Sequence, residues 1–164
     1  MAGTTATARG RVRLLRAVGA VVAITALPAN ASATLGRDTS SVDADRVHMQ
    51  GALLRIVRSD AYTVHEMRSA SGTTLREYVS SNGTVFAVAW QGPFLPDMRQ
   101  VLGSYFDDYQ RSLQATPGQR RARGSLTIDM PDLIVQMTGH PRSFSGRAYV
   151  PRLMPLRVQA ETIR

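Results

Sequence analysis

The chain has 164 residues, with 20 basic side chains that are all arginine, 12 acids, three histidines, no cysteine and a formal charge of +8. Without cysteine there is no disulfide, no thiol nucleophile, no thiolate zinc site and no iron-sulfur site. Four of the 20 arginines lie in the first 33 residues, so 16 face 12 acids in the remainder; the resulting charge of about +4 suits an anionic partner such as a polysaccharide or lipid headgroup, and no nucleic acid is expected.

Arg9, Arg11, Arg13 and Arg16 precede an apolar run of 11 residues, Ala17 to Leu27, which is followed by Pro28 and the small residues Ala29-Asn30-Ala31-Ser32-Ala33. This is the layout of a secretory signal peptide, with Ala31 and Ala33 suited to the small pockets of a signal peptidase. The rival reading is a retained anchor, but the apolar run falls well short of the roughly 20 residues that span a bilayer. The expected organisation is therefore a cleavable signal over 1–33 and one globular domain over 34–164. With no stable transmembrane anchor, the mature protein is expected to be soluble and periplasmic or secreted. No paired arginines point to the twin-arginine route. A domain of this length buries on the order of two thirds of its unfolded surface and needs no staples.

Leu35 to Ser40 reads as a polar lead-in. Ser41 can cap a short helix that places Asp43 and Asp45 in its first turn, where the dipole favours negative charge, and that ends near Gln50 before Gly51. Leu53 to Arg58 fits either a strand or a continuation of that helix. From Ala61 the period becomes two, predicting strands over Tyr62–Arg68, Thr73–Ser80 and Thr84–Gln91 as an antiparallel meander. Asn82-Gly83 predicts a tight type I′ hairpin. Its register sets Val79 opposite Phe86, Glu77 opposite Val88 and Leu75 opposite Trp90, with Arg76, Tyr78, Val85, Ala87, Ala89 and Gln91 on the other face.

After Gly92-Pro93 the apolar spacing turns helical. Leu95, Met98, Val101, Leu102, Tyr105, Phe106, Tyr109 and Leu113 form a wide stripe, and Gly103 inside it suggests a close approach to a strand at Ala87 or Ala89. Arg120, Arg121 and Arg123 lie in a basic loop. Three more strands follow over Ser125–Met130, Leu133–Thr138 and Ser143–Val150, turned by Pro131-Asp132 and Gly139-His140-Pro141, and a Pro-containing tail runs from Pro151 to Arg164. The fold class is α+β: a single domain with a mostly antiparallel sheet of five to seven strands around a central three-stranded meander, one long amphipathic helix and one short N-terminal helix.

Candidate chemistry is sparse. His65-Glu66 lacks the second histidine of a zinc protease, since position 69 is Ser, and His48, His65 and His140 show no ligand-like spacing, so neither a metal nor any other cofactor is expected. His65 reads as a half-buried strand residue beside Tyr78. A two-residue turn at Ser71-Gly72 would set Glu66 opposite Glu77, where one carboxyl near Trp90 and Val88 could act as an acid in sugar hydrolysis. A four-residue turn abolishes the direct opposition, and an odd turn moves the two to different faces. Asp107 can pair with Arg111 along the helix. Asn82-Gly83-Thr84 matches a glycosylation acceptor but is explained by the hairpin. No nucleophile elbow and no phosphate-cradling loop occurs. The richest binding candidate is Trp90-Gln91-Gly92-Pro93-Phe94, where Trp90, Phe94, Gln91 and Tyr78 could hold a sugar, peptide or lipid chain; the bland alternative is a stiff corner plugging the core.

Ala44-Asp45-Arg46, Tyr62-Thr63-Val64-His65-Glu66, Arg76-Glu77-Tyr78-Val79, Val85 to Pro93, Leu102-Gly103-Ser104-Tyr105-Phe106 and Gly146-Arg147-Ala148-Tyr149 carry a resemblance to a family of exported Gram-negative proteins catalogued only as a domain of unknown function. It covers nearly all of Leu35 to Ile163. The resemblance implies export and a single domain, and brings no reaction, cofactor or catalytic residue. The expected role is a non-catalytic periplasmic binding or accessory module for an envelope protein, glycan or lipid; the alternative is an envelope hydrolase using Glu66 and Glu77 or a histidine.

Overall fold

Alternating apolar and polar residues make most extended segments two-faced, the run from Val85 to Trp90 is apolar and buried on both faces, and short turns fold neighbouring segments back on one another. The computed structural model describes residues 1, 3, 35–38, 52–115 and 124–164. Its strands are β1 (Ala52–Arg58), β2 (Tyr62–Arg68), β3 (Thr74–Ser80), β4 (Val85–Gly92), β5 (Ser125–Met130), β6 (Leu133–His140) and β7 (Ser143–Tyr149). They form one open antiparallel sheet in the order β1-β2-β3-β4-β7-β6-β5. The ambiguous segment after Gly51 is thus a strand, at one edge of the sheet. The expected helix over Ser41 to Gln50, His48, the basic loop arginines and the signal segment all lie outside the described residues.

Two local features set the register. In both hairpins of the first meander a glycine in the left-handed region closes a three-residue loop: Gly72 (φ 89) donates its N–H to Ser69 O, and Gly83 (φ 85) donates to Ser80 O, each at 2.9 Å. The second loop is therefore not the expected two-residue type I′ turn; it is a turn followed by a left-handed glycine, which shifts the pairing by one residue. A bulge at Phe86 then shifts it back. Val79 consequently faces Val85 and not Phe86, while Glu77 faces Val88 and Leu75 faces Trp90 as expected. Phe86 turns to the face of Tyr78, and Val85 to the face of Val79. Pro131-Asp132 turns β5 into β6 as expected. The next turn centres on Pro141-Arg142, one residue later than expected, with Arg142 in the left-handed region at φ 67.

Asp97 caps the helix, its Oδ1 accepting from Arg99 N–H at 2.9 Å. The helix is α1 (Met98–Leu102), a 3₁₀ turn over Gly103–Tyr105 and α2 (Phe106–Ala115). Gly103 is needed for its backbone, at φ 52, and not for contact with Ala87 or Ala89, which lie on the far side of the sheet. Met98, Val101, Leu102 and Tyr109 pack on Leu75, Val88, Trp90, Val135 and Ala148, so the helix covers the Trp90 face. Leu35 joins this core, and Gly36 N–H donates to Val85 O at 2.8 Å, so the expected polar lead-in is pinned to the start of β4. On the opposite face the tail from Pro151 to Arg164 covers Tyr78, Phe86, Ala87 and Tyr149 with Leu153, Met154, Val158 and Ile163. Among the described residues no helix is long and apolar enough to cross a membrane.

Candidate functional site

The first hairpin decides the fate of the carboxylate pair. Its loop is odd, so Glu66 pairs with Arg76 and Glu77 pairs with His65. Glu66 and Glu77 therefore lie on opposite faces of the sheet. Glu66 accepts from Arg76 Nε at 2.6 Å and from Arg55 Nη2 at 3.5 Å. Glu77 is fully buried on the helix face, between His65 on one side and Val88 on the other. His65 shares that face and not the face of Tyr78, which corrects its expected neighbour. Among the described residues no three of the His, Asp and Glu side chains converge. On α2 the ion pair of Arg111 is with Asp108, one turn away, and not with Asp107.

The four binding candidates do not form one surface. Trp90 is 2% exposed, under the helix, and its Nε1–H has no acceptor among the described residues. Its ring crosses β7 at Gly146: a Cβ on Gly146 would sit 2.4 Å from Trp90 Cζ2, so only glycine leaves the slot open. Tyr78 lies beneath the tail, its hydroxyl donating to Arg164 O at 3.1 Å. Phe94 is 54% exposed at the corner after β4. That corner is stiff because Thr73 Oγ1 donates to Phe94 O at 2.8 Å. Gln91 is exposed on the tail side of the sheet.

Gln91 leads to an arrangement that the sequence reading missed. Directly paired residues share a face, and the pairing of β3, β4, β7, β6 and β5 lines up Thr74, Gln91, Ser145, Thr138 and Ser125 in one row across the sheet. The adjacent row is Arg76, Ala89, Arg147, Gln136 and Thr127, and the next is Tyr78, Ala87, Tyr149, Ile134 and Asp129. The tail lies on the last, largely apolar row, reaches Ala89, Arg76 and Arg147 of the second, and leaves the first uncovered beside it. A groove of about 480 Å³ opens there, walled on one side by Ile163 and Arg164 and lined by Gln91, Thr127, Thr138, Ser145 and Arg147.

Hydrogen bonding within this groove is uneven. Among the described residues, the side chains of Gln91, Thr127, Thr138 and Ser145 make no hydrogen bond, so their hydroxyl and amide groups are free to serve a ligand. Arg147 is half-buried and fixed: its Nε donates to Gln136 Oε1 at 2.8 Å, and its Nη1 donates to Ile163 O at 3.3 Å and to Ala160 O. None of these acceptors is charged. Burial holds the neighbouring Tyr149 phenol above its ordinary value against the opposing pull of Arg147, with Asp129 and Glu161 adding to the rise. The rows were hidden in the sequence because each strand contributes only one or two residues, and each reads alone as the wet side of an amphipathic strand.

A second groove, of about 360 Å³, lies at the opposite face between α2 and the ends of β5 to β7, lined by Leu95, Tyr109, Leu113, Leu126, Met137 and Phe144. It is the apolar continuation of the helix packing, and Ser125 and Thr138, which also line the first groove, are the polar side chains at its rim. No curated protein and no solved structure matches the chain. Residues 31–163 match the family described as Protein of unknown function (DUF2844), and the chain belongs to that family.

Proposed function

We propose that this is an exported, non-catalytic binding or accessory module that meets an envelope component through the polar groove that the tail leaves open on its sheet. The observation that carries the reading is the set of unengaged side chains of Gln91, Thr127, Thr138 and Ser145 around one groove. Their hydroxyl and amide groups offer both donors and acceptors, which suits a hydroxyl-rich ligand such as a glycan. This moves the contact surface from the aromatic corner to the sheet face, since Trp90 is core and Phe94 stands apart from Tyr78. Export is supported by the basic and apolar N-terminal segment and by a family match that begins at residue 31, close to the expected mature start at Thr34. A periplasmic or secreted location follows from that segment. The alternative of a hydrolase acting through Glu66 and Glu77 loses its support, because the two carboxylates occupy opposite faces.

The test has two parts. Expression of the full chain in a Gram-negative host, with fractionation and N-terminal sequencing, should find a product beginning near Thr34 outside the cytoplasm; a full-length product retained in the cytoplasm refutes export. Mature protein is then used to capture envelope glycans, lipids and proteins, alongside a Thr138→Trp variant that fills the groove from an exposed strand position. Enrichment of one component that the folded variant loses supports the module. Equal capture by both proteins refutes the groove as its contact surface.

A further inference from the structure

The charge balance of the groove, resting on the binding reading above, narrows the ligand class. Arg147 is a half-buried cation, and among the described residues it makes no ion pair with any carboxylate. Its contrast with Arg76 in the same row is informative. Arg76 has Glu66 at 2.6 Å, so its charge is met within the protein. Arg147 is met by Gln136 and by two main-chain oxygens, which satisfy Nε and Nη1 and leave the charge itself uncompensated. Partial burial of an unmatched cation is unfavourable unless an anion comes to it, and a guanidinium held at Nε and Nη1 is already ordered, with Nη2 left to meet that anion. Arg164 also lines the groove wall, with its Nε donating to Glu161 O at 3.2 Å. Asp129 and Glu161 act on the neighbouring Tyr149 and form no ion pair with Arg147 among the described residues.

We propose that the groove binds an anionic, hydroxyl-rich ligand, a glycan bearing a carboxylate or phosphate, with the anion seated at Arg147 and the sugar hydroxyls on Gln91, Ser145 and Thr138. The guanidinium supplies affinity and the charge requirement; the row of neutral groups supplies orientation. Uronic acids and sugar phosphates share this chemistry and come from different sources, so both serve as probes.

The experiment titrates the mature protein, from Thr34 onward, with a galacturonic acid trisaccharide, with glucose 6-phosphate and with neutral maltotriose, followed by backbone amide shifts and calorimetry at low and high salt. The expected result is that at least one anionic probe shifts the amides of β6 and β7 and binds about tenfold or more tightly than maltotriose, with affinity falling as salt rises. Which of the two binds more tightly distinguishes carboxylate from phosphate. Thr138→Trp, which leaves Arg147 intact, should abolish the binding. Arg147→Lys, which keeps the charge but loses the Nε and Nη1 anchors that fix its position, should weaken it about tenfold with the fold retained. Should Arg147→Lys fail to fold, Thr138→Trp and the salt dependence still decide. Maltotriose binding as tightly as the anionic probes overturns the anion seat and leaves the glycan-binding reading standing. If no probe shifts β6 and β7, the anion seat is overturned, and the capture experiment decides the broader reading by itself.

Discussion

Gly146→Ala is a methyl-sized perturbation aimed at the contact between the sheet and its only tryptophan. The new Cβ would lie 2.4 Å from Trp90 Cζ2, 2.7 Å from Trp90 Cε2 and 2.8 Å from the main-chain oxygen of Gln136. None of these is a tolerable carbon contact, and two belong to a rigid ring held under α1 and α2. Relief requires the indole to leave its slot or β7 to bow away from β6. Overpacking of this kind costs about 1–3 kcal/mol, which for a domain of this size lowers Tm by roughly 3–12 °C. The assay is thermal and urea unfolding followed by far-ultraviolet circular dichroism, because the second half of the test removes the fluorophore. Trp90→Phe deletes both clashing ring atoms and the Nε1–H that has no acceptor among the described residues, so when combined with Gly146→Ala it should recover part of the loss. The signature is a double-mutant cycle in which the pair is less destabilised than the sum of the singles by about 1 kcal/mol. Gly146→Ala with an unchanged midpoint, or strict additivity with Trp90→Phe, would refute the steric account of this glycine.

Phe94→Ala should leave the unfolding midpoint within about 0.5 kcal/mol of the parent, since Phe94 is 54% exposed. Thr73→Val, which removes the hydroxyl that donates to Phe94 O at 2.8 Å from a site 1% exposed, should cost about 1 kcal/mol in urea unfolding; the reverse order would mean the corner is held by the ring. Glu66→Gln deletes the carboxylate shared by Arg76 and Arg55 and should lower stability by about 1 kcal/mol at low salt and by less at high salt. A salt-independent effect would show that packing, not charge, is involved. For Tyr149 burial raises the phenol above its unfolded value, so its contribution is complete below the ordinary tyrosine range near pH 10 and is lost as pH rises through the higher folded value. The difference in alkaline absorbance titration between parent and Tyr149→Phe should therefore report a late-ionising phenol, and Tyr149→Phe should flatten the alkaline fall in stability. An early-titrating Tyr149 would contradict its burial.

Most strands could be read directly, because they either alternate or, as in β4, form a short apolar run, and are bounded by Gly, Pro, Ser and Asn. The helix stripe was equally plain, with Met98, Val101, Leu102 and Tyr109 all reaching the core. Reading failed where one residue changes a face. The extra residue in each hairpin loop and the bulge at Phe86 leave no mark in an apolar pattern, yet they decide whether Glu66 meets Glu77 and whether Phe86 sits beside Tyr78. Two opposite one-residue shifts around Gly83 and Phe86 explain how a wrong turn type still gave Leu75 opposite Trp90. The tail was unreadable for another reason: Leu153, Met154, Val158 and Ile163 have neither helical nor strand period, and only the apolar row beneath them gives them a place. The groove was least visible of all, since its polar lining exists only once four strands are aligned.

The strand order has a consequence for how the chain reaches this structure. β1 to β4 and β5 to β7 are each closed by short turns, and the two sets meet along the single seam between β4 and β7. That seam joins residues such as Val88 and Ala148, far apart in the chain, and must wait for the helical connection to close. Synthesis delivers the first set before its partner. In the interval, the inner edge of β4, whose sequence from Val85 to Gly92 contains no charged side chain, is bare on the side that β7 will occupy. A nascent molecule therefore passes through a stage with an uncharged, adhesive border, the kind of segment on which chains cross-pair and precipitate. Yield of this protein should consequently be limited by the time its last three strands take to arrive, more than by the stability of the finished sheet.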